Sequence, residues 1–385
     1  PELADKAHMS TTFNQTRRRF LGAAGATTLA AATGGTLLGG SRTAGAQAVK
    51  TLHWGIVGTG GIANSMAGMI KMADASELAA VSSRRMATAQ SFAENQDVPN
   101  AFDSWQDMID SDAVDAIYVA TPTSVREEIC IAAAKGGKHV LGEKPFASLP
   151  SVKRITAACR DNNVAFMDGT HFVHHPRTLD IRQHRDDRLG FVWSVASAFQ
   201  FNLKDRGNIR FNPELEPMGA IGDAGWYNMR AAVAYLSPDA VLDTVSAHLR
   251  RDGETGAAIS GTGVLDFTDG STSTWNCGFD SGAVVMDLRI TGTEGVINID
   301  DFLSQNRDGS ADFLYRKGGW GGGTSDEISI PSAKPGAALM FEDMAAAAAD
   351  ASLRDRWMLA TERTQALLDA TWMAALQSER NDADY

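Results

Sequence analysis

Leu52–Ala63 reads LHWGIVGTGGIA, and the fold turns on how this stretch is read. Trp54-Gly55-Ile56-Val57 is a short run with no polar alternation, which suits a strand buried on both faces in a parallel sheet. Gly58, Gly60 and Ala63 then fit G-x-G-x-x-G/A, and the apolar segment continuing to Met72 fits a helix. A strand, a glycine turn and a helix in this order form the context in which the pattern marks a dinucleotide site, whereas glycines outside it mark only a turn. Gly58 allows the tight turn, Gly60 lets backbone approach a pyrophosphate, and Ala63 keeps the helix close to the strand. Thr59, Gly60, Gly61 and Ile62 bring the free N–H groups and partial positive charge of the helix start to the phosphates.

The next strand, Glu77–Val81, ends in Ser82-Ser83-Arg84-Arg85. A site for NAD usually carries an Asp or Glu near this point for the ribose 2′-hydroxyl, and a site for NADP an arginine. No acid is present here. The guanidinium forks of Arg84 and Arg85 match a phosphate, and Ser83 can donate to it. The residues therefore favour NADP over NAD. The competing reading is that both arginines simply solvate the start of the next helix.

The 385 residues provide for two domains, and the formal charge of −12 argues against nucleic acid or an anionic membrane as partner. Cys130, Cys159 and Cys277 have no paired spacing, so a disulfide framework or a cysteine metal site is not expected. Residues 1–8, PELADKAH, precede Met9 and read as a tag remnant. Arg17-Arg18-Arg19-Phe20-Leu21, the Ala/Gly/Thr-rich run after it and Ala44-Gly45-Ala46 resemble a twin-arginine export signal. A membrane span needs about 20 strongly apolar residues, and this run holds too many Gly and Thr. Residues 1–48 are thus read as tag and signal peptide, and the product as periplasmic. The export route carries folded proteins, which suits one that must keep a tightly held cofactor.

From Thr51 strand and helix patterns alternate, with strands at 52–57, 78–82, 115–120, 138–142 and 164–168 and helices between them. Such alternation gives right-handed βαβ units and an α/β Rossmann fold with a doubly wound parallel sheet, whose ligands bind at the carboxyl ends of the strands. Thr121-Pro122 and Glu143-Lys144-Pro145 stand at two of those ends. After 168 the rhythm changes to strand-like runs at 190–203, 240–250, 257–267, 271–279, 284–292 and 295–300, with helical segments at 174–187 and 219–236. This predicts an α+β domain with a large open-faced, mainly antiparallel sheet over 169–355. Gly318–Thr324 reads as a glycine-rich loop, and 336–350 and 356–378 as closing helices. One face of so large a sheet needs cover, which a second subunit would give as a homodimer or a dimer of dimers.

Gly58-x-Gly60-x-x-Ala63, Glu143-Lys144-Pro145 and Gly219-Ala-Ile-Gly-Asp223-Ala-Gly-Trp-Tyr227 together resemble the glucose–fructose oxidoreductase / inositol dehydrogenase (Gfo/Idh/MocA) family over residues 51–378. The resemblance implies that Lys144 stands beside the nicotinamide and the substrate hydroxyl, that the Lys144–Pro145 bond is cis, and that Glu143 either orients Lys144 or faces solvent. Thr121, Pro122, Glu143 and Lys144 then meet the cofactor. The residue four after Asp223 handles the proton. Here it is Tyr227, which the four-residue spacing places on the same helix face as Asp223. A phenol has an ordinary pKa near 10, so loss of its proton around neutral pH would need a nearby cation such as Lys144. Asp223 would hold a neighbouring substrate hydroxyl. His171 and Arg210 are candidate substrate contacts, with a loop salt bridge the alternative for Arg210. His171, His174 and His175 lack acidic or cysteine partners at ligand spacing, so no metal is expected. Thr121-Pro122-Thr-Ser-Val-Arg126 departs from a family pattern that often carries His at the last position.

The functional expectation is a periplasmic NADP-dependent oxidoreductase for a sugar or polyol, with a tightly bound cofactor cycled between two sugars as one form of it. An ordinary NAD(P)-dependent sugar or dihydrodiol dehydrogenase is the alternative within enzymes. A sugar- or NADP-binding protein without turnover is the alternative outside them.

Overall fold

The computed structural model describes residues 50–383. The leader, residues 1–48, lies outside them. The first half comprises β1 (Leu52–Val57), α1 (Gly61–Met72), β2 (Ser76–Ser82), α2 (Met86–Asn95), β3 (Asn100–Phe102), α3 (Trp105–Asp110), β4 (Ala116–Val119), α4 (Thr123–Lys135), β5 (His139–Gly142), α5 (Leu149–Asp161) and β6 (Phe166–Asp168). The six strands form one parallel sheet in the order β3-β2-β1-β4-β5-β6. The order reverses at β1, and the crevice at the carboxyl ends beside that point is where such sheets hold ligands. β4 is buried at every position, and β1 at every position except His53, whose ring and backbone N–H both meet the Asp115 carboxyl.

The second half comprises α6 (Pro176–Gln183), α7 (Arg185–Leu189), β7 (Val192–Asn202), α8 (Gly219–Asp223), α9 (Gly225–Tyr235), β8 (Leu242–Arg251), β9 (Ala258–Phe267), β10 (Thr272–Gly278), β11 (Asp280–Val285), β12 (Leu288–Gly292), β13 (Val296–Ile299), β14 (Ala311–Gly319), β15 (Gly322–Ile330), α10 (Gly336–Ala349) and α11 (Ala351–Ala383). Its sheet has the order β15-β14-β13-β12-β7-β10-β9-β8, with β11 beside β7. All pairings are antiparallel except β7 with β10. Ser273, Trp275 and Cys277 of β10 point inward under α8 and α9, and Thr274 points out. The outer face is built of small and polar side chains such as Ala196, Ser246, Thr262, Thr274 and Asn298. It is concave, with a depression of about 590 Å³.

The closing helices return to the first sheet. Phe341 of α10 packs edge-on against Trp54 at 4.9 Å and Tyr118 at 5.9 Å, the type of buried aromatic contact whose loss costs on the order of 3–5 kcal/mol. Gln365 and Asp369 of α11 accept the backbone N–H groups of Phe146 and Leu149, directly after the Glu143-Lys144-Pro145 turn. Among the described residues no helix is long and apolar enough to cross a membrane.

Three expectations need correction. Gly318–Thr324 is the tip of a β14–β15 hairpin paired from Ala311↔Ile330 to Gly319↔Gly322, with Trp320 fully exposed in its turn. Its glycines bury no side chain, so the strands carry no hydrophobic pattern there. The run 284–292 is split between β11 and β12, and α11 begins at Ala351 instead of 356.

Candidate active site

The glycine turn sits as its residues predict. Gly58 has φ of +106°, and a Cβ there would lie 2.8 Å from the Ala120 carbonyl oxygen, so only glycine fits between the ends of β1 and β4. Its N–H donates to Ser82 O, which brings the end of β2 alongside. Beyond it the surface is open. A Cβ at Gly60 or Gly61 would meet no atom within 4 Å, and α1 starts without a side-chain cap. Ala63 is fully buried under the turn. Thr59 is half-buried, and Ile62 at the helix start is exposed.

Ser83 is half-buried after β2, and Arg84 and Arg85 are exposed, with no ion pair among the described residues. The hydroxyls of Ser82 and Thr121, at the carboxyl ends of β2 and β4, are buried without a hydrogen-bond partner. Pro122 directly precedes α4, which also lacks a side-chain cap of its own. An uncapped helix start, side-chain-free backbone facing open space and unpaired arginines fit a dinucleotide whose ribose carries a further phosphate.

At the end of β5 the Lys144–Pro145 bond is cis. The Lys144 side chain is 7% exposed, and its ammonium donates to Asp223 Oδ1 at 2.7 Å and to the Asp223 carbonyl at 3.0 Å. Asp223 closes α8 and Tyr227 lies in α9. Ala224 between them keeps helical angles, so the four-residue spacing does place both on one face. Gly219 starts α8 with φ of +49° and its Cβ position 2.2 Å from the Ala258 carbonyl oxygen, which fixes this helix start against β9. The Lys144 ammonium lies 4.8 Å from the centre of the Tyr227 ring. Arg210, in the 3-10 turn Ile209–Phe211, closes the cluster from the other side. Its Nε donates to Asp223 Oδ2 at 2.7 Å and its Nη2 to Oδ1 at 3.2 Å. The His171 ring is 5.8 Å from that of Tyr227.

Burial alone would raise the Asp223 carboxyl. The charges of Lys144 and Arg210 outweigh it and hold the group well below the usual carboxylate range. Burial would likewise lower Lys144, but Asp223, Tyr227 and Glu143 more than offset it, and Lys144 stays a cation. Tyr227 departs from expectation. Burial pushes its phenol up to about 12, and Lys144 opposes this without reversing it. The lysine charge is already shared with Asp223 and faces the ring, so at neutral pH the group is a phenol, a proton donor. His171 is pushed down to about 4, first by burial and then by Lys144, and is uncharged.

The structure adds to one expected role and corrects another. Both Asp223 oxygens accept from Lys144 or Arg210, so the carboxylate fixes two cations besides any hydroxyl it would hold. Glu143 does not face solvent. It is buried, accepts the Tyr118 hydroxyl at 2.5 Å and the Lys144 N–H at 3.3 Å, and leaves no room for a side chain at Gly169. Arg210 satisfies both readings at once, as a salt bridge made to the site itself. The other two histidines go elsewhere: His174 meets Asp343 and stacks on Trp357 at 4.4 Å, and His175 meets the Gly309 carbonyl and the Arg177 N–H.

Two residues escape the sequence reading. Arg126 is buried and donates to the carbonyls of Pro145 and Thr121 and to the Thr123 hydroxyl, tying the Lys144 turn to the end of β4. Glu216, from the segment after β7, accepts the Thr123 N–H at 3.0 Å and its hydroxyl at 2.6 Å, so it caps α4 from outside. The departure at 126 hints at the first. Nothing local points to the second.

A glycine-turn Rossmann sheet with an ammonium and a phenol meeting at its carboxyl edge defines a nicotinamide-dependent oxidoreductase class. Residues 52–170 match the oxidoreductase family with NAD-binding Rossmann fold, GFO/IDH/MocA, and residues 182–298 match the GFO/IDH/MocA C-terminal domain. The chain is 31% identical over 271 residues to a D-xylose 1-dehydrogenase (NADP(+)) of Haloferax volcanii, covering 70% of this chain and 82% of that one. It superposes with a TM-score of 0.76 and 23% identity on a 3-ketoreductase from Actinomadura kijaniata in complex with NADP and TDP-benzene, covering 84% of this chain and 98% of the other. An aldose-aldose oxidoreductase from Caulobacter crescentus, complexed with glycerol, gives a TM-score of 0.75 at 22% identity, covering 86% and 98%. The chain belongs to the Gfo/Idh/MocA oxidoreductase family.

Proposed function

We propose that the protein is an NADP-dependent oxidoreductase acting between the hydroxyl and carbonyl forms of a sugar or polyol. The observation that carries this is the convergence of Lys144, Asp223, Arg210 and Tyr227 at the carboxyl edge of the parallel sheet. The nicotinamide supplies the hydride chemistry. The protein supplies the rest. An ammonium has three N–H donors, and Asp223 takes two of those of Lys144, so one remains for the substrate oxygen. That bond strengthens as the oxygen gains negative charge. The Tyr227 phenol donates the proton that completes carbonyl reduction, and the reverse reaction returns a proton to it. Arg210 holds Asp223, and Asp223 holds Lys144.

The twin-arginine motif at Arg17–Leu21 supports a periplasmic protein, and a tightly held NADP passed between two sugars would suit that compartment. The small, polar outer face of the second sheet supports a homodimer or dimer of dimers. To test the closed cycle, the purified protein is scanned in the nicotinamide band, and aldoses are then added without free cofactor. Bleaching by one sugar and recovery by another supports it. Turnover only with added NADP leaves an ordinary dehydrogenase, and no redox response to any sugar leaves a binding protein.

A further inference from the structure

β7 delivers two aromatic side chains beside the cluster. Phe199 and Phe201 share a strand face. Phe199 meets Tyr227 edge-on, with 5.5 Å between centres, and lies 5.4 Å from Phe201. Phe201 is 5.2 Å from Phe279, which is 6.1 Å from Phe211, the neighbour of Arg210. The rings form one wall from Tyr227 round to Arg210. Phe211 and Phe279 are buried, whereas Phe199 and Phe201 keep part of their surface open.

Charge in the same site is already spent. Arg210 turns its fork on Asp223, and Lys144 is paired to the same carboxylate. Glu143 acts on Lys144 and Glu216 on Arg210, so neither cation lacks further negative charge beside it. A carboxylate or phosphate on the substrate would have to compete with Asp223 for Lys144 and Arg210, and burying it unpaired is costly. An uncharged ring with mostly equatorial hydroxyls presents carbon-bound hydrogens as a flat apolar face. Such a face packs on aromatic rings while its edge hydroxyls reach polar groups.

We propose that Phe199 and Phe201 are the specificity wall of this site. They select an uncharged ring polyol over open-chain polyols and over sugars bearing a carboxylate or phosphate. This rests on the redox reading above for the nature of the reaction, but binding tests it separately.

The test compares wild type, F199L, F201L and F199L/F201L, each loaded with NADP. Leucine keeps the apolar volume and removes the ring face. The probes are D-glucose and myo-inositol as rings, D-sorbitol as the open chain, and D-glucuronate and glucose 6-phosphate as charged rings. Binding is followed by saturation-transfer NMR and turnover by initial rates. NADPH affinity, expected within about twofold of wild type, reports an intact fold. The wild type should prefer an uncharged ring to sorbitol in kcat/KM, and the double variant should lose roughly tenfold of that preference. An unchanged preference, or a wild type that prefers a charged ring, overturns the wall and leaves the redox reading standing. Rings that bind more weakly to the leucine variants but are never turned over leave the wall standing and overturn the redox reading. If no uncharged ring binds the wild type, the wall is overturned whatever the reaction proves to be.

Discussion

Lys144 donates to the Asp223 carboxylate at 2.7 Å and to the carbonyl of the same residue at 3.0 Å. These residues lie 79 apart in the chain, on β5's exit turn in the first domain and at the end of α8 in the second. The pair thus joins the two halves of the site as well as tuning its charge. Asp223→Asn should leave Lys144 and Arg210 facing each other without their counterion, and turnover should fall by about 10²-fold or more. The folded carboxyl is depressed, so its contribution is present above its ordinary value near 4 and is lost as pH falls toward the folded one. Melting temperatures of wild type and D223N should therefore differ most near pH 6 and converge as pH drops below about 4. A constant gap at all pH values would remove the ion pair from the stability account.

Tyr227→Phe should keep NADPH binding and lose most carbonyl reduction, on the order of 10²–10⁴-fold for a general acid. With the phenol pushed up to about 12, wild-type kcat/KM for reduction should show no loss of this acid between pH 6 and 9. A tyrosine already ionised near neutrality would instead give a falling limb around pH 7. The two pH profiles separate these cases.

Arg84→Ala should weaken NADPH more than NADH, by roughly tenfold or more if the guanidinium meets a phosphate, since such forks are strong and geometrically specific. Arg84 is exposed and outside every ion pair among the described residues, so folding should not suffer. Equal losses for both cofactors, measured by fluorescence titration, would place the 2′-phosphate elsewhere.

Arg126→Met should leave the carbonyls of Pro145 and Thr121 without their buried donor. Losing such a partner costs about 1–3 kcal/mol per buried group, so the melting temperature should fall by several degrees. Lys144 should lose its placement too, lowering kcat. Lysine at 126, which keeps the charge but not the fork, should recover only part of the effect.

Lys144, Asp223 and Tyr227 are legible in the sequence because each sits inside a short pattern, a Glu-Lys-Pro at a strand end and a four-residue spacing on a helix. The parallel sheet is legible for a similar reason, since its strands are continuous apolar runs. Arg126 and Glu216 act on backbone groups 19 and 93 residues away, and no local periodicity encodes which carbonyl or amide they reach. The protonation of Tyr227 is hidden in the same way. A nearby lysine is visible in the family pattern, but the burial that outweighs it belongs to the packed site. The β14–β15 hairpin is missed because glycine pairs without leaving a hydrophobic trace.

Glu216 gives the last prediction. It stands on the segment 203–218 that also carries Arg210, and it fastens that segment to the first turn of α4 through Thr123. An acidic group at a helix start gains from the helix dipole as well as from the two hydrogen bonds. Glu216→Ala should release the segment, so that Arg210 holds Asp223 less firmly and substrate KM rises. Arg210 and Lys144 keep their charges, so kcat should fall less than KM rises. Glu216→Gln retains one acceptor oxygen and should fall between the two. NADPH displacement followed by stopped flow should be faster in E216A if the segment also holds the crevice closed. If E216A leaves KM and the displacement rate at wild-type values while its melting temperature drops, the contact is only a helix cap, and the placement of Arg210 must come from Asp223 itself.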